Sequence, residues 1–143
     1  MSIARIIAGR SAASIITAYA DQPVREAIAL LAKHRIGALP VMDGARCIGV
    51  FSERDVIYCL ASEGAAALDK PVAELMSGPP VTVSTDTDVI EALGLVTRRR
   101  IRHLPVTNGD DFVGFISIGD LVKFRLDAVE REAQAMLSYI QTA

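Results

Sequence analysis

The sequence predicts a mixed α/β (α+β) fold made of two copies of one β-α-β-β-α unit. Residues 17–57 align with residues 82–122 without a gap, and 15 of the 41 paired positions are identical. Within each copy, apolar residues recur first at helical spacing and then in short strand-like runs. A hairpin signal lies between the two runs, Asp43-Gly44 in one copy and Asn108-Gly109 in the other.

The two units are expected to pack together, because each has an apolar face that it cannot bury alone. We place them at residues 1–68 and 69–143. Each unit opens with a short apolar-spaced segment, Ile3–Ile7 or Val72–Met76. These segments are offset by 69 residues rather than 65, so the first unit has four extra residues in the loop around Gly9–Ser14.

An extended stretch and a helix follow in each unit. The extended stretches are residues 14–19 and 80–84. Apolar residues then recur at i, i+3, i+4 and i+7 from Val24 and again from Val89, which predicts helices. Asp21 and Pro23 indicate the start of the first helix, and Thr87 or Asp88 the start of the second.

Two strands and a further helix complete each unit. The predicted strands are Ala38–Met42 with Cys47–Phe51, and His103–Thr107 with Phe112–Ser117. The further helix begins after Ser52 or Ser117, and residues 62–71 connect the units.

The last helix is longer than its counterpart, and its apolar residues alternate spacings of four and three. Fewer than three heptads are too few to predict a coiled coil. The stripe can pack on its own domain or form a dimer contact, and both interpretations stay open. It consists of Val122, Leu126, Val129, Ala133, Met136 and Ile140.

Composition argues against several functional classes. A formal charge of −2 disfavours nucleic-acid binding. No apolar run approaches the ~18–20 residues of a membrane span, and the first residues do not resemble a secretory signal, so we expect a cytoplasmic protein. Two cysteines are too few for a disulfide framework or a zinc site. We find no pairing of a nucleophile with a base and no phosphate-binding glycine loop, and therefore expect no enzyme.

The turn Gly-x-x-Ser-x-x-Asp occurs twice, at residues 49–55 and 114–120. Structurally, Ser-x-x-Asp at a helix start is a capping pattern. Functionally, the free N–H groups of a helix start suit a phosphate, and an ionised Asp can accept two hydrogen bonds from a ribose diol. Repetition alone does not decide between the two interpretations.

Basic residues precede the Leu-Pro-Val strand of the second unit. Cations at a helix C-terminus complement its dipole, which explains Arg98 and Arg99. Guanidinium groups at the strand start suit phosphate oxygens. We therefore expect at least one of Arg100, Arg102 and His103 to contact phosphate.

The twin Leu-Pro-Val strands, the repeated Gly-x-x-Ser-x-x-Asp turn and the two opening segments resemble the tandem CBS (cystathionine β-synthase) domain pair, or Bateman module. The small size and long last helix are similar to stand-alone bacterial CBS-pair proteins. The resemblance implies pseudo-symmetric repeats packed sheet to sheet, with two equivalent clefts. It also implies a homodimer and an adenosine-containing ligand (AMP, ADP, ATP, NAD or S-adenosylmethionine), with no obligatory cofactor and no metal.

The resemblance also implies the site residues. Asp55 and Asp120 would hold ribose hydroxyls, and Ser52 and Ser117 would face phosphate or ribose oxygens. The residues expected to border the adenine are Ile16, Thr17, Ala18, Val81, Thr82 and Val83. Those expected to line the clefts are Gly37, Ala38, Pro40, Arg102, His103 and Pro105, together with Arg54 and Arg100.

The two clefts should differ, because the copies differ. Gly37-Ala38 corresponds to Arg102-His103, and Arg54 corresponds to Gly119. Tyr19 and the longer loop before it can obstruct or reshape the first cleft. We therefore favour the cleft containing Asp120 for a charged phosphate.

Two functions follow from this reasoning. The first is a non-catalytic regulatory module, in which an adenosyl ligand shifts a conformational equilibrium and signals to a separate, unknown protein partner. The alternative is a dimeric interaction or scaffold protein whose clefts are vestigial and which binds through its last helix.

Overall fold

The computed structural model describes residues 1–142 and contains two three-stranded sheets, each accompanied by helices. The fold is the predicted mixed α/β arrangement of two equivalent units with an extended C-terminal helix. In chain order the elements are α1 (Ile3–Ile7), β1 (Ala18–Tyr19), α2 (Val24–His34), β2 (Ala38–Asp43), β3 (Arg46–Ser52), α3 (Glu53–Glu63), α4 (Val72–Leu75), β4 (Val83–Ser84), α5 (Val89–Arg99), β5 (His103–Asn108), β6 (Asp111–Ser117) and α6 (Ile118–Thr142).

The two sheets have the same topology. In each, a two-residue strand pairs parallel with the Leu-Pro-Val strand, which pairs antiparallel with the strand after the hairpin. The hairpins turn at Gly44 and Gly109, whose φ angles of 61° and 63° are left-handed and favour glycine. Both hairpins have a register irregularity at the same place, after Val41 and after Val106. The sequence repeat is therefore a structural repeat.

Most predicted boundaries agree with the structure to within one residue, and those of the two extended stretches need correction. The predicted start of α2 is confirmed, since the helix begins at Val24, directly after Pro23 at the N-cap position. Asp88 does cap α5, where its carboxylate accepts a hydrogen bond of 3.0 Å from the N–H of Ile90. Both extended stretches are shorter than expected. Residues 12–14 form a 3₁₀ turn and β1 starts only at Ala18, while β4 starts only at Val83.

The opening helices exchange places between the units. Ile3 of α1 is fully buried in the core of the second unit, and Val72 of α4 is fully buried in the core of the first. Matching backbone bonds hold them, from Ile3 N–H to the Thr87 carbonyl (2.9 Å) and from Val72 N–H to the Gln22 carbonyl (2.8 Å). The predicted division at residues 68 and 69 is thus a division of the sequence, while each core contains residues from both sides of it.

The apolar stripe of α6 is exposed along its length. Leu126, Met136 and Ile140 expose 57%, 69% and 67% of their surface, whereas Leu121 and Ala128, which lie on another face of the helix, are buried. The interpretation that this stripe packs on its own domain is therefore wrong for the single chain. No helix within residues 1–142 combines the length and apolar character needed to cross a membrane.

Candidate functional site

A cleft of about 590 Å³ lies between the two units, beside the start of α6. Its walls come from three parts of the chain: the loop after α1, the starts of β2 and β5, and the end of β6 with the first turn of α6. Apolar side chains form most of the wall, while the ionisable groups are Arg10, His103 and Asp120. The lining residues are Ile7, Gly9, Arg10, Ser11, Ser14, Ile15, Ile16, Ile36, Ala38, His103, Val113, Gly114, Phe115, Ser117 and Asp120.

Asp120 is held in place by the repeated turn. Its carboxylate Oδ2 accepts a hydrogen bond of 2.9 Å from the N–H of Ser117, and the Ser117 hydroxyl accepts one of 3.0 Å from the N–H of Asp120. This reciprocal pairing is the capping interpretation of the motif. Because 31% of the Asp120 side chain is still exposed to the cleft, capping leaves the carboxylate available to a ligand.

Arg10 is the one charged residue of the cleft lining that was not predicted as a site residue from the sequence. Its guanidinium donates to both carboxylate oxygens of Asp120, at 3.2 Å to Oδ1 and 3.5 Å to Oδ2. Partial burial raises the pKa of Asp120, but the Ser117 N–H and the Arg10 charge outweigh it and hold that pKa below its ordinary value. The carboxylate is therefore ionised at neutral pH.

His103 forms one wall of the cleft with its ring stacked on Phe115, at a centroid distance of 5.4 Å and an interplanar angle of 15°. Burial, with help from the charge of Arg102, lowers the pKa of His103, while Asp120 and Glu53 oppose that shift. The imidazole is therefore neutral at neutral pH. It offers a flat surface and one hydrogen-bond donor rather than a positive charge.

At the equivalent place in the first unit a neighbouring segment bonds to the aspartate, and we call this place the closed counterpart for that reason. Asp55 Oδ2 accepts hydrogen bonds from the N–H of Ser52 (2.8 Å) and from its hydroxyl (3.0 Å), and Oδ1 accepts one of 2.7 Å from the hydroxyl of Ser77. Ser77 also exchanges two backbone hydrogen bonds of 2.9 Å with Val50 of β3. The segment after α4 thus lies along β3 where a ligand of Asp55 would enter.

The longer loop of the first unit lies elsewhere than expected. Residues Gly9, Arg10, Ser11 and Ser14 line the cleft of Asp120, not that of Asp55. The expectation that this loop obstructs the first cleft is therefore wrong. Because the opening segments are exchanged, the long loop borders the second unit's aspartate, while the shorter segment after α4 borders the first unit's aspartate.

The structure brings together five of the eighteen predicted site residues. Ile16, Ala38, His103, Ser117 and Asp120 line the cleft. Gly37 adjoins it, since a Cβ there would lie 3.7 Å from Cε1 of His103. Ser52 and Asp55 form the closed counterpart described above.

The other predicted residues lie outside the lining. Arg54 donates a hydrogen bond of 3.3 Å to the carbonyl of Arg100 at the end of α5, where a cation complements the helix dipole. Arg100 and Arg102 are exposed. The buried members are Ala18, Pro40, Val83 and Pro105, the half-buried ones are Thr17 and Val81, and Thr82 is exposed.

Ligands for a metal ion are not gathered anywhere in residues 1–142, where no three His, Cys, Asp or Glu side chains come together. Cys47 and Cys59 are free, and burial raises the pKa of both thiols. The cleft presents an ionised carboxylate, one guanidinium, two flat rings and an apolar wall.

Two exchanged β-α-β-β-α units around a shared cleft define a CBS-domain pair, and comparison with known families agrees. The family model described as "CBS domain" matches residues 11–62 and 72–127. The chain therefore belongs to the CBS-domain family.

Individual relatives share both sequence and fold. The CBS-domain containing protein ATU1752 from Agrobacterium tumefaciens is 31% identical with a TM-score of 0.80, over 87% of this chain and 99% of that chain. The mitochondrial CBS domain-containing protein CBSX3 of Arabidopsis thaliana is 31% identical over 126 residues, which are 85% of this chain but only 61% of the relative.

More distant structures share the fold and contain ligands. CBSX2 was solved in complex with AMP; it is 23% identical with a TM-score of 0.76, over 89% of this chain and 97% of that chain. The CBS domain pair of MJ0100 was solved with 5′-methylthioadenosine and S-adenosyl-L-methionine; it is 22% identical with a TM-score of 0.75, over 90% and 98% of the two chains.

Proposed function

We propose that the chain is a non-catalytic regulatory module that binds an adenosine-containing ligand in the cleft beside Asp120. The observation that carries the proposal is the Asp120 carboxylate itself. It is ionised, fixed by Ser117 and partly exposed at the edge of a cleft of about 590 Å³. That volume is within the roughly 300–1,000 Å³ of small-molecule sites.

The cleft offers a suitable partner for both the ribose and the purine of an adenosyl ligand. A vicinal ribose diol donates two hydrogen bonds, and a carboxylate accepts them. Ile16, Ile36 and Val113 offer an apolar surface for a purine ring, and His103 and Phe115 add flat faces suited to stacking. Binding at such a site needs no catalytic group.

The ligands of related proteins support this choice. AMP, 5′-methylthioadenosine and S-adenosylmethionine occupy CBS pairs of the same fold, and adenosine is the part that all three share. A carboxylate that binds the ribose would recognise the adenosine that these ligands share. Asp120 therefore supports the class of ligand, an adenosine-containing compound, without specifying the group at the 5′ position.

Isothermal titration calorimetry with AMP tests the site, using two aspartates as a matched pair. Asp120→Asn keeps the shape of the side chain but removes the negative charge, and should weaken AMP binding at least about tenfold, which corresponds to about 1.4 kcal/mol. Asp55→Asn makes the same change at the closed counterpart and should leave the affinity unchanged. Equal loss in both variants, or none in Asp120→Asn, would reject the site.

The regulatory output of the module would be an allosteric shift. A ligand changes a conformational equilibrium only by its different affinity for the two states. The cleft is suited to this role because its walls come from both units, so a bound ligand would change how they pack. We propose that the response passes to a separate protein partner.

A second candidate function rests on the exposed stripe of α6, which favours a homodimer contact. Met136 and Ile140 expose about two thirds of their surface (69% and 67%) in the single chain. A contiguous row of exposed apolar side chains of this kind is typical of a surface that another protein covers. Light scattering after size exclusion should show a dimer for the wild type and for Gln134→Glu, but a monomer for Met136→Glu. A monomeric wild type, or a dimeric Met136→Glu, would reject this contact.

A further inference from the structure

We propose that Arg10 makes the Asp120 cleft selective for the charge of its ligand, so that it takes a 5′-phosphorylated adenosine in preference to a neutral or cationic adenosyl compound. This inference rests on the proposed function, because it concerns the same site and the same carboxylate. It adds the identity of the group at the 5′ position, which the family resemblance leaves open.

The carboxylate of Asp120 has few free acceptor sites for a ligand. A carboxylate has about four lone-pair sites. One is used by the Ser117 N–H and two by the guanidinium of Arg10. A ribose diol needs two sites and finds one. Arg10 must therefore give up at least one of its bonds before the diol can bind as proposed.

Displacing Arg10 from Asp120 has an electrostatic cost. Arg10 and Asp120 are the two charged residues of the cleft lining, because His103 is neutral at neutral pH. A neutral ligand would exchange a charge-assisted pair for hydrogen bonds from neutral hydroxyls, which are weaker. A ligand with an anionic group offsets the loss, because it gives the guanidinium a new partner.

Arg10 is placed to exchange Asp120 for an anionic group of the ligand. It follows Gly9, whose φ of 79° turns the chain away from α1, and its side chain is 48% exposed at the edge of the cleft. The loop also contributes Ser11 and Ser14 to the lining. A guanidinium released from Asp120 stays within the cleft and presents two parallel donors, the geometry that suits phosphate oxygens.

The two arginines predicted from the sequence are less suited to this role. Arg100 and Arg102 are both exposed and neither lines the cleft. Arg102 is near enough for its charge to lower the pKa of His103, so it is the relevant competitor for a phosphate. Arg102→Gln is therefore compared with Arg10→Gln in the titrations below.

The expected order of affinity follows from ligand charge. AMP, with a 5′-phosphate, should bind more tightly than adenosine or 5′-methylthioadenosine, which are neutral. S-adenosylmethionine carries a sulfonium cation close to the 5′ carbon and should bind most weakly, because that charge would face the released guanidinium.

Calorimetric titration of AMP and adenosine into the wild type and single variants tests the inference. The wild type should bind AMP at least about tenfold more tightly than adenosine, a difference of about 1.4 kcal/mol. Arg10→Gln should reduce that ratio to near one by weakening AMP binding, while adenosine binds as well as before or better because Asp120 is free. Arg46→Gln removes the same charge from the hairpin of the first unit, outside the lining, and should keep the wild-type ratio.

Each result bears on a separate claim. If the wild type binds AMP and adenosine equally, or if Arg10→Gln keeps the preference, Arg10 is not the selective residue, although adenosyl binding stands. If Arg102→Gln rather than Arg10→Gln removes the preference, the sequence-based assignment of the phosphate contact replaces this one. If neither ligand binds the wild type, the proposed function fails and this inference fails with it.

Discussion

The hydroxyl of Ser77 donates a hydrogen bond of 2.7 Å to Oδ1 of Asp55 and so closes a site whose counterpart at Asp120 is open. At the counterpart, the corresponding carboxylate faces a cleft and is covered by the guanidinium of Arg10. The two copies of the motif therefore have different surroundings. The difference comes from the segments that approach them and not from the motif itself.

The close approach of this segment predicts a steric requirement at Gly49. A Cβ at this position would lie 2.4 Å from the sulfur of Met76 and 2.7 Å from the carbonyl oxygen of Ser77. Gly49→Ala should therefore destabilise the fold by about 1–3 kcal/mol, because the segment must move away from β3. Urea denaturation measures this cost.

Gly114 is the matched control, since it occupies the same position in the second unit. Its nearest neighbour would be the Cγ2 methyl group of Ile7 at 3.1 Å, a wider separation than either contact of Gly49 and one made by a side chain rather than by backbone. Gly114→Ala should cost clearly less than Gly49→Ala. Equal losses of unfolding free energy in the two variants would contradict the closer packing that the structure shows at Gly49.

The exchanged opening helices predict that a residue near the start of the chain stabilises the second unit. Ile3 is fully buried there, so Ile3→Ala should lower the free energy of unfolding by about 2–5 kcal/mol. Ile90→Ala, at a position 54% exposed, should change it by less than about 0.5 kcal/mol. Similar small effects in both variants would contradict the exchange.

The lowered pKa of His103 predicts a dependence of stability on pH. The unfolded chain binds a proton more readily than the folded one, so stability should fall as the pH drops below the ordinary imidazole pKa of about 6.5, and level off below the folded pKa. Thermal unfolding of His103→Phe between neutral and mildly acidic pH should show a smaller decline than the wild type. His34→Gln removes the exposed imidazole and should keep the wild-type decline; loss of it there instead would contradict the assignment.

The sequence predicted the fold well because each element has a local signal. These signals are short-range patterns, such as the helical spacing from Val24 and Val89 and the turns at Gly44 and Gly109. Each pattern occurs in both copies of the repeat. The exchange of the opening helices has no such signal. Ile3 and Val72 are apolar in either arrangement, and only the packing shows which core each one joins.

The site was predicted less completely, because its asymmetry is a long-range property. Asp55 and Asp120 occupy the same position of the same Gly-x-x-Ser-x-x-Asp motif, and the four extra residues near Gly9 were one clue to a difference between their surroundings. That clue was assigned to the wrong cleft, since the exchange was not foreseen. Arg10 lies 110 residues from Asp120 and belongs to no motif, whereas the conspicuous run from Arg98 to Arg102 drew attention to arginines outside the cleft lining.

The number of AMP molecules bound per chain tests the central claim that only one of two equivalent motifs forms a ligand site. Equilibrium dialysis with labelled AMP, at a concentration just sufficient to saturate the wild type, should give one molecule per chain for the wild type and for Asp55→Asn. It should give clearly less than one for Asp120→Asn, whose affinity is expected to be at least about tenfold lower. Two molecules per chain, or one that persists in Asp120→Asn and disappears in Asp55→Asn, would contradict the account.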